Sequence, residues 1–471
     1  MAAPVLTAPG GIAWRDGKRY MWLTAIIVPL LAIVGYGLWH RTGLGVHWWI
    51  TPLFVFVLVP LLDISTPADS VNPPEEIRAA LEADRFYRRC TYLYLPLAGI
   101  GLVLGAAAWA GGELSPASRI GAVVSVGTVT GVGITTAHEL GHKRGRLERW
   151  LARLMLAPTC YGHFYVEHNR GHHVRVATSA DPASARLGES FWRFWPRTVV
   201  GSLRSAWSLE SRRLRLRGAR VVSLRNEVLL GWLLTAVLFG SLAAAFGPSV
   251  LVFLAAQAVF GFTLLEGVNY IEHYGLARAH TPEGRYEPVT PRHSWNSDAV
   301  TSNLALYQLQ RHSDHHAHPT RRYQVLRSFE ESPQLPAGYA TLLLAAYLPP
   351  VWFRLMDDRV VAHYGGDLCR ANVHPPRRRA LQARYRAYRI PSHIAPAGAV
   401  RARDGAAGMG VRDGSPPEAD RDGAAAGGRE SVGAFAVELA APFGSAEARV
   451  TSRATGDADP AEAGPRDSPR S

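Results

Sequence analysis

Residues 309 to 318 read LQRHSDHHAH and place His312, His315, His316 and His318 in one short stretch. Two further stretches repeat the pattern: HELGHKRG supplies His138 and His142, and EHNRGHH supplies His168, His172 and His173. The string NYIEHYG adds His273. On a helix, residues at i and i+4 share a face, so His138 with His142, His168 with His172, and His312 with His316 are expected to point in pairs at one ion. His173 is then expected to reach a neighbouring ion. Together with His315 and His273 this makes a neutral nitrogen donor set too large for one metal ion and suited to two. Imidazole suits iron, zinc, copper or nickel, whereas magnesium and calcium require oxygen ligands.

Acidic residues stand beside these histidines: Glu139, Glu167, Glu272 and Asp314. Each could accept the second ring N–H of an imidazole and set its tautomer, or complete the coordination sphere itself. HELGH is also a literal H-E-x-x-H zinc-protease motif, in which two histidines hold zinc and the glutamate acts on water. That chemistry needs only one more ligand and leaves most of the histidine cluster unexplained. A histidine-rich metal carrier is a further alternative, but it should spread polar ligands along several spans at mid-membrane, whereas these gather at one face.

The elements that must position these residues are apolar. The chain has 471 residues, of which 48% are hydrophobic, yet its mean hydropathy is near zero. That average conceals two regimes. Six nearly uncharged windows, at 21–39, 46–62, 91–111, 120–137, 228–246 and 250–268, are each long enough to cross a hydrocarbon core of about 30 Å as a helix. The predicted fold is therefore an all-α membrane protein with six transmembrane helices and a cytoplasmic histidine-rich region. A seventh apolar stretch, 339–355, is interrupted by Pro349 and Pro350 and reads as an interfacial or re-entrant helix.

The formal charge of +13 comes almost wholly from arginine, since Lys18 and Lys143 are the only lysines. Arginines precede the first and third windows and crowd the segment between the fourth and fifth, which puts both termini and the 138–227 segment in the cytoplasm. Contact with anionic lipid accounts for this charge without nucleic acid. The predicted organisation is a cytoplasmic N-terminal segment over 1–20, a membrane-embedded domain over 21–365, a basic extension over 366–393 and a low-complexity tail over 394–471. Low hydrophobicity predicts disorder for that tail, with a brief contact at 433–445.

The strings HELGHK, EHNRGHH, NYIEHYG and LQRHSDHHAHP, with DPASARLGES at 181–190 and WNS at 295–297, resemble the integral-membrane non-haem di-iron alkane 1-monooxygenases. These belong to the wider superfamily of membrane desaturases and hydroxylases. The resemblance covers about residues 20–360. It implies six transmembrane helices topped by a cytoplasmic di-iron site, with His138, His142, His168, His172, His173, His273, His312, His315 and His316 as ligands. His318 is implied to be a bystander with a supporting role at most.

The implied reaction inserts one atom of O2 into a terminal methyl C–H bond of a medium-chain n-alkane, giving a primary alcohol. A related membrane di-iron enzyme could instead hydroxylate or desaturate a fatty acyl chain, but NYIEHYG belongs to the alkane branch. An apolar substrate has no polar handle, so specificity is expected from channel shape. Trp48, Trp49 and Phe54 are channel candidates, and Glu266, a carboxylate within the sixth window, is expected to be paired and to support the site.

Electrons are implied to come from rubredoxin, itself reduced by an NAD(P)H-dependent rubredoxin reductase, with no bound flavin or haem. Some relatives carry rubredoxin fused to the chain. Here Cys90, Cys160 and Cys369 are the only cysteines, too few for a four-thiolate iron site, so rubredoxin is expected as a separate protein. Arg212, Arg213, Arg215 and Arg217, with Arg321 and Arg322, are candidates for docking it.

Overall fold

The computed structural model describes residues 3–7 and 11–386. The predicted tail from residue 394, with its apolar stretch at 433–445, lies outside the described residues. A small antiparallel hairpin, β1 (Val5–Thr7) and β2 (Ala13–Arg15), precedes the helices. Six helices are long and apolar enough to cross a membrane: α1 (Arg19–Thr42), α2 (Gly45–Ser65), α3 (Arg85–Ala110), α4 (Pro116–Gly141), α7 (Glu227–Phe246) and α8 (Val250–His273). Between α4 and α7 lie α5 (Arg146–Leu156) and α6 (Phe191–Leu216).

All six helices overlap the predicted windows, and most exceed them. Local chemistry sets the ends. Asp84 caps α3 by accepting from the Phe86 N–H at 2.8 Å, and Ser115 caps α4 ahead of Pro116 in its first turn. Asn226 opens α7 by accepting from the Val228 N–H at 3.0 Å. Such side chains satisfy backbone donors that have no partner inside the helix. α1 ends on Gly43 in the left-handed region, at φ 70°. The extensions matter for function: α4 runs on through His138, and α8 through Asn269 and Tyr270 to His273.

The apolar stretch 339–355 divides into α10 (Tyr339–Ala346) and α11 (Pro349–His363). Both prolines stand in the first turn of α11, where a missing N–H removes no helical hydrogen bond. They start a helix here rather than break one. α10 packs against α8 beside the histidines.

α4 is the most buried of the six spans and packs along α8. Glycine permits their close approach. A β-carbon at Gly127 would stand 2.9 Å from the Gln257 carbonyl oxygen, and one at Gly131 would stand 2.8 Å from that of Gly261. Small residues let helix backbones meet where lipid leaves little hydrophobic drive for association. Gln257 strengthens the seam, with its Oε1 accepting from the Thr130 hydroxyl at 2.8 Å and its Nε2 donating to the Pro158 carbonyl at 2.6 Å. Gly127→Val should therefore force the two helices apart and lower stability by about 1–3 kcal/mol, read as earlier thermal unfolding of the purified protein.

Candidate metal centre

The nine histidine side chains named by the resemblance meet at one end of the bundle, delivered by four pieces of chain. α4 brings His138, and His142 follows at its cap. α8 brings His273 as its last residue. The short helix α9 (His312–Ala317) brings His312, His315 and His316. It follows a turn in which Tyr307 and Gln308 both adopt positive φ, at 50° and 54°. Non-glycine residues pay roughly 1–2 kcal/mol each for that conformation. The Gln308 amide, donating to the Tyr323 carbonyl at 2.7 Å, and the Tyr307 hydroxyl, donating to the Cys90 carbonyl at 3.1 Å, hold the turn in place.

The fourth piece departs from the helical expectation. Residues His168–His172 form a π turn between the short helices Phe164–Glu167 and His173–Arg175. With i→i+5 bonding the turn is wider than an α-helical one, which lets residue i+5 approach residue i. His168 therefore pairs with His173, their Nε2 atoms 3.1 Å apart. His172 is turned away to the other group, which corrects the pairing expected from sequence.

Two groups of nitrogen atoms result, each within a 4.8 Å span: His138, His142, His168, His173 and His315 in one, and His172, His273, His312 and His316 in the other. Within the first, the Nε2 atoms of His173 and His315 stand 3.2 Å apart. In the second, His312 Nε2 stands 3.2 Å from that of His273 and 2.9 Å from that of His316. Metal–imidazole bonds of about 2.0–2.1 Å place neighbouring ligand nitrogens on one ion about 3 Å apart. The Nε2 atoms of His138, His142 and His172 are buried without a hydrogen-bond partner. Orphaned buried nitrogens at coordination spacing fit two metal ions. His173 and His316, with ring centroids 4.4 Å apart, join the two groups.

Burial first, and neighbouring imidazoles second, hold the protonation of His142, His168, His173, His312, His315 and His316 well below the ordinary histidine range. The neutral form is the one that binds metal.

The acidic residues divide. Glu272 alone among the sequence candidates brings an oxygen to a converging nitrogen, its Oε2 lying 3.2 Å from His312 Nε2. Its Oε1 accepts from the Tyr339 hydroxyl at 3.1 Å. Glu139 turns elsewhere: Lys143 Nζ is 3.1 Å from its Oε1, and the Tyr323 N–H donates to the same oxygen. A glutamate so engaged is not free to act on water as the protease reading requires. Glu167 is tied to Arg175 at 2.6 Å.

Asp314 receives His318 at 2.9 Å and Arg321 at 2.8 Å. His318 is half-exposed and belongs to neither group. Glu266 is paired, as an intramembrane carboxylate must be, but with the Tyr161 and Thr198 hydroxyls at 2.6 and 2.9 Å and the Asn269 amide at 3.1 Å. None of these bonds reaches an imidazole.

Asp181 is the residue that sequence reasoning missed. Its Oδ2 lies 2.9 Å from His172 Nδ1 and accepts from the Ser184 hydroxyl at 2.6 Å. Burial pushes its carboxyl up, but the His172 ring and the Ser184 hydroxyl outweigh it and hold the group at about 2. An ionised Asp181 fixes His172 with its Nε2 toward the second group. The DPASARLGES string contained the signal, yet nothing in its spacing from the histidines pointed to His172.

An apolar cavity ends on the centre. His138, His168, His312 and Glu272 close it, and its walls include Val28 of α1, Val55, Phe56 and Val59 of α2, Leu264, Leu265 and Val268 of α8, and Leu343 of α10. Trp48, Trp49 and Phe54 are not among its lining residues, which corrects the channel candidates. Trp48 is buried against Tyr36 and Trp39, Trp49 lies against Gly121, and Phe54 packs with the core around Val28 and Phe164. Trp48 and Trp49 lie in a 3-10 turn, Gly45–Trp49, ahead of a π turn at Phe54–Leu58.

Two docking candidates are also corrected. Arg321 and Arg322 are largely buried, tied to Asp314 and to Glu148 at 2.8 Å each. Arg213 pairs with Glu210, whereas Arg212, Arg215 and Arg217 are exposed.

A histidine-lined centre for two metals beneath six apolar spans defines a multi-pass membrane protein of the non-haem di-iron class. Residues 114–344 match the fatty acid desaturase family model. The chain is 44% identical to alkane 1-monooxygenase 1 of Alcanivorax borkumensis, over 82% of this chain and 96% of that protein. It is 42% identical to the alkane 1-monooxygenase of Acinetobacter baylyi, over 81% and 94% of the two chains. The xylene/toluene monooxygenase hydroxylase component of Pseudomonas putida is 28% identical, over 75% and 86%. This protein belongs to the alkane 1-monooxygenase family.

The buried histidines give the metal-free protein a pH dependence. Their folded values lie below the unfolded value near 6.5, so the unfolded chain binds more protons as pH falls, and stability present above that value is lost below it. Metal-free protein should lose on the order of 1.4 kcal/mol per pH unit for each such histidine below about pH 6.5, and metal-loaded protein, whose ligands are also unprotonated when folded, should lose stability at a similar slope from a higher starting value. Chemical denaturation at graded pH, with and without metal, measures the difference.

Proposed function

We propose that this protein hydroxylates the terminal methyl group of medium-chain n-alkanes to primary alcohols, using O2 and electrons from a separate rubredoxin reduced by an NAD(P)H-dependent reductase. The observation that carries this reading is the apolar cavity closed at one end by the two groups of histidine nitrogens. His138, His142, His168, His173 and His315 would hold one iron and His172, His273, His312 and His316 the other, with Glu272 directed at the second. When bound, the iron pair supplies reductive activation of O2 and the oxidising power needed to break an unactivated C–H bond.

The chain's own residues do the rest. Asp181 orients His172, and Tyr339 steadies Glu272 through its hydroxyl. Val55, Phe56, Val59, Leu264 and Leu343 offer an alkane contacts but no hydrogen bonds, so the end of the chain is placed by shape alone. Dry walls also limit the water and side reactions that reach the centre. In this reading the histidine-bearing end faces the cytoplasm, as the arginine distribution supports, and residues 21–365 form the catalytic domain.

Purified protein should bind about two irons and give primary alcohol with rubredoxin, its reductase and NADH. One zinc with peptide cleavage instead would sink the proposal. His273→Ala should reduce iron loading and turnover together, and full activity in that variant would remove it from the ligand set.

Phe56 tests the cavity independently. Phe56→Ala should shift preference toward longer alkanes by roughly 10-fold or more in relative kcat/KM, in keeping with a few methylene contacts changed at about 1–3 kcal/mol each, with iron content unchanged. An unaltered chain-length profile would exclude Phe56 from the substrate path.

A further inference from the structure

α5 follows the first histidine motif directly, and its surface does not match a helix facing water. Its inner side is buried through Ala152, Met155 and Leu156, yet Leu147, Trp150 and Leu154 on the outer side are 59, 45 and 42% exposed. Their i, i+3, i+7 spacing makes one stripe. Two side-chain contacts set the depth of the helix. The Tyr92 hydroxyl, about two turns into α3, donates to Glu148 at 3.2 Å. The Arg153 guanidinium holds both oxygens of Glu227, the first residue of α7, at 2.8 and 3.0 Å.

α5 therefore lies across the histidine-side ends of two membrane spans, at the level where they enter the bilayer. Those spans also carry exposed apolar residues, Leu93 on α3 and Trp232 on α7. Arg146 is exposed and Arg149 half-buried on the same helix.

We infer that the outer face of α5 is seated in the headgroup layer of an anionic bilayer, with Leu147, Trp150 and Leu154 in the upper acyl region and Arg146 and Arg149 against lipid phosphate. Arginine beside an apolar stripe is the pattern of a helix lying in the interface plane. Lipid already bounds the neighbouring spans at that depth, so it covers the stripe without a second protein. Anchored in this way, α5 holds His138 and His142 at the membrane surface. The inference rests on the spans crossing a bilayer and not on the reaction.

The test uses the full-length chain carrying Cys369→Ser, with a nitroxide on Leu147→Cys, Trp150→Cys or Leu154→Cys, in nanodiscs containing phosphatidylglycerol. The Cys369→Ser protein without an added cysteine, treated with the same label, reports any signal from Cys90 and Cys160. Collisions with O2, which concentrates in acyl chains, should exceed those with a water-soluble nickel chelate at all three sites, and Arg285→Cys on an exposed loop should show the reverse. Greater access to the nickel chelate at the three sites would put the stripe in water, and protection from both reagents would put protein over it; either overturns the proposal. Arg146→Gln with Arg149→Gln should reduce the preference for spin-labelled phosphatidylglycerol over phosphatidylcholine by about fivefold per arginine. An unchanged preference would refute the phosphate contact.

Discussion

The structure depends on burying nine imidazoles together with few opposite charges near them. Protonated, such a cluster would repel itself in a medium that screens poorly. Neutral, it leaves lone pairs facing one another about 3 Å apart, an arrangement that metal cations relieve. Burial that depresses the histidine protonation also prepares the nitrogens to coordinate. Helix ends, the π turn and the strained turn before α9 bring these rings to one place from four separate parts of the chain.

Two carboxylates serve this cluster in different ways. Asp181 grips the far side of a ring and orients it, whereas Glu272 stands on the side where the nitrogens converge. Glu139 has the sequence position of a protease base but is engaged by Lys143 and the Tyr323 backbone. Carboxylates around the histidines thus do three different things. Partners contributed from elsewhere in the chain decide which.

The cavity adds the complementary property. Its walls are mostly aliphatic and aromatic, with Thr135, Asn269 and Ser302 as the polar exceptions besides the histidines and Glu272, so a molecule without polar groups can approach the centre. Glycine-mediated contact between α4 and α8 sets the spacing of the two spans that carry His138 and His273. Packing deep in the bundle and geometry at the centre are therefore linked through two rigid helices.

Composition and periodicity by themselves determined the six spans, because a hydrocarbon crossing demands long uncharged windows that few other structures need. The histidine motifs likewise declared a binuclear metal centre, since no smaller site uses so many neutral donors. Only the tertiary structure decided which histidine joins which group. His168 and His172 look like a helical pair in sequence, but the π turn sends them to different groups, and backbone strain of that kind has no signature in residue spacing. The same holds for Asp181, which reaches His172 through a loop, and for Phe56, which lines the cavity from the π turn of α2 while Trp48 and Trp49 are absorbed into helix packing. Hydrophobic patterning records which face is buried. It does not record against what, and the chemistry of this centre lies in those long-range contacts.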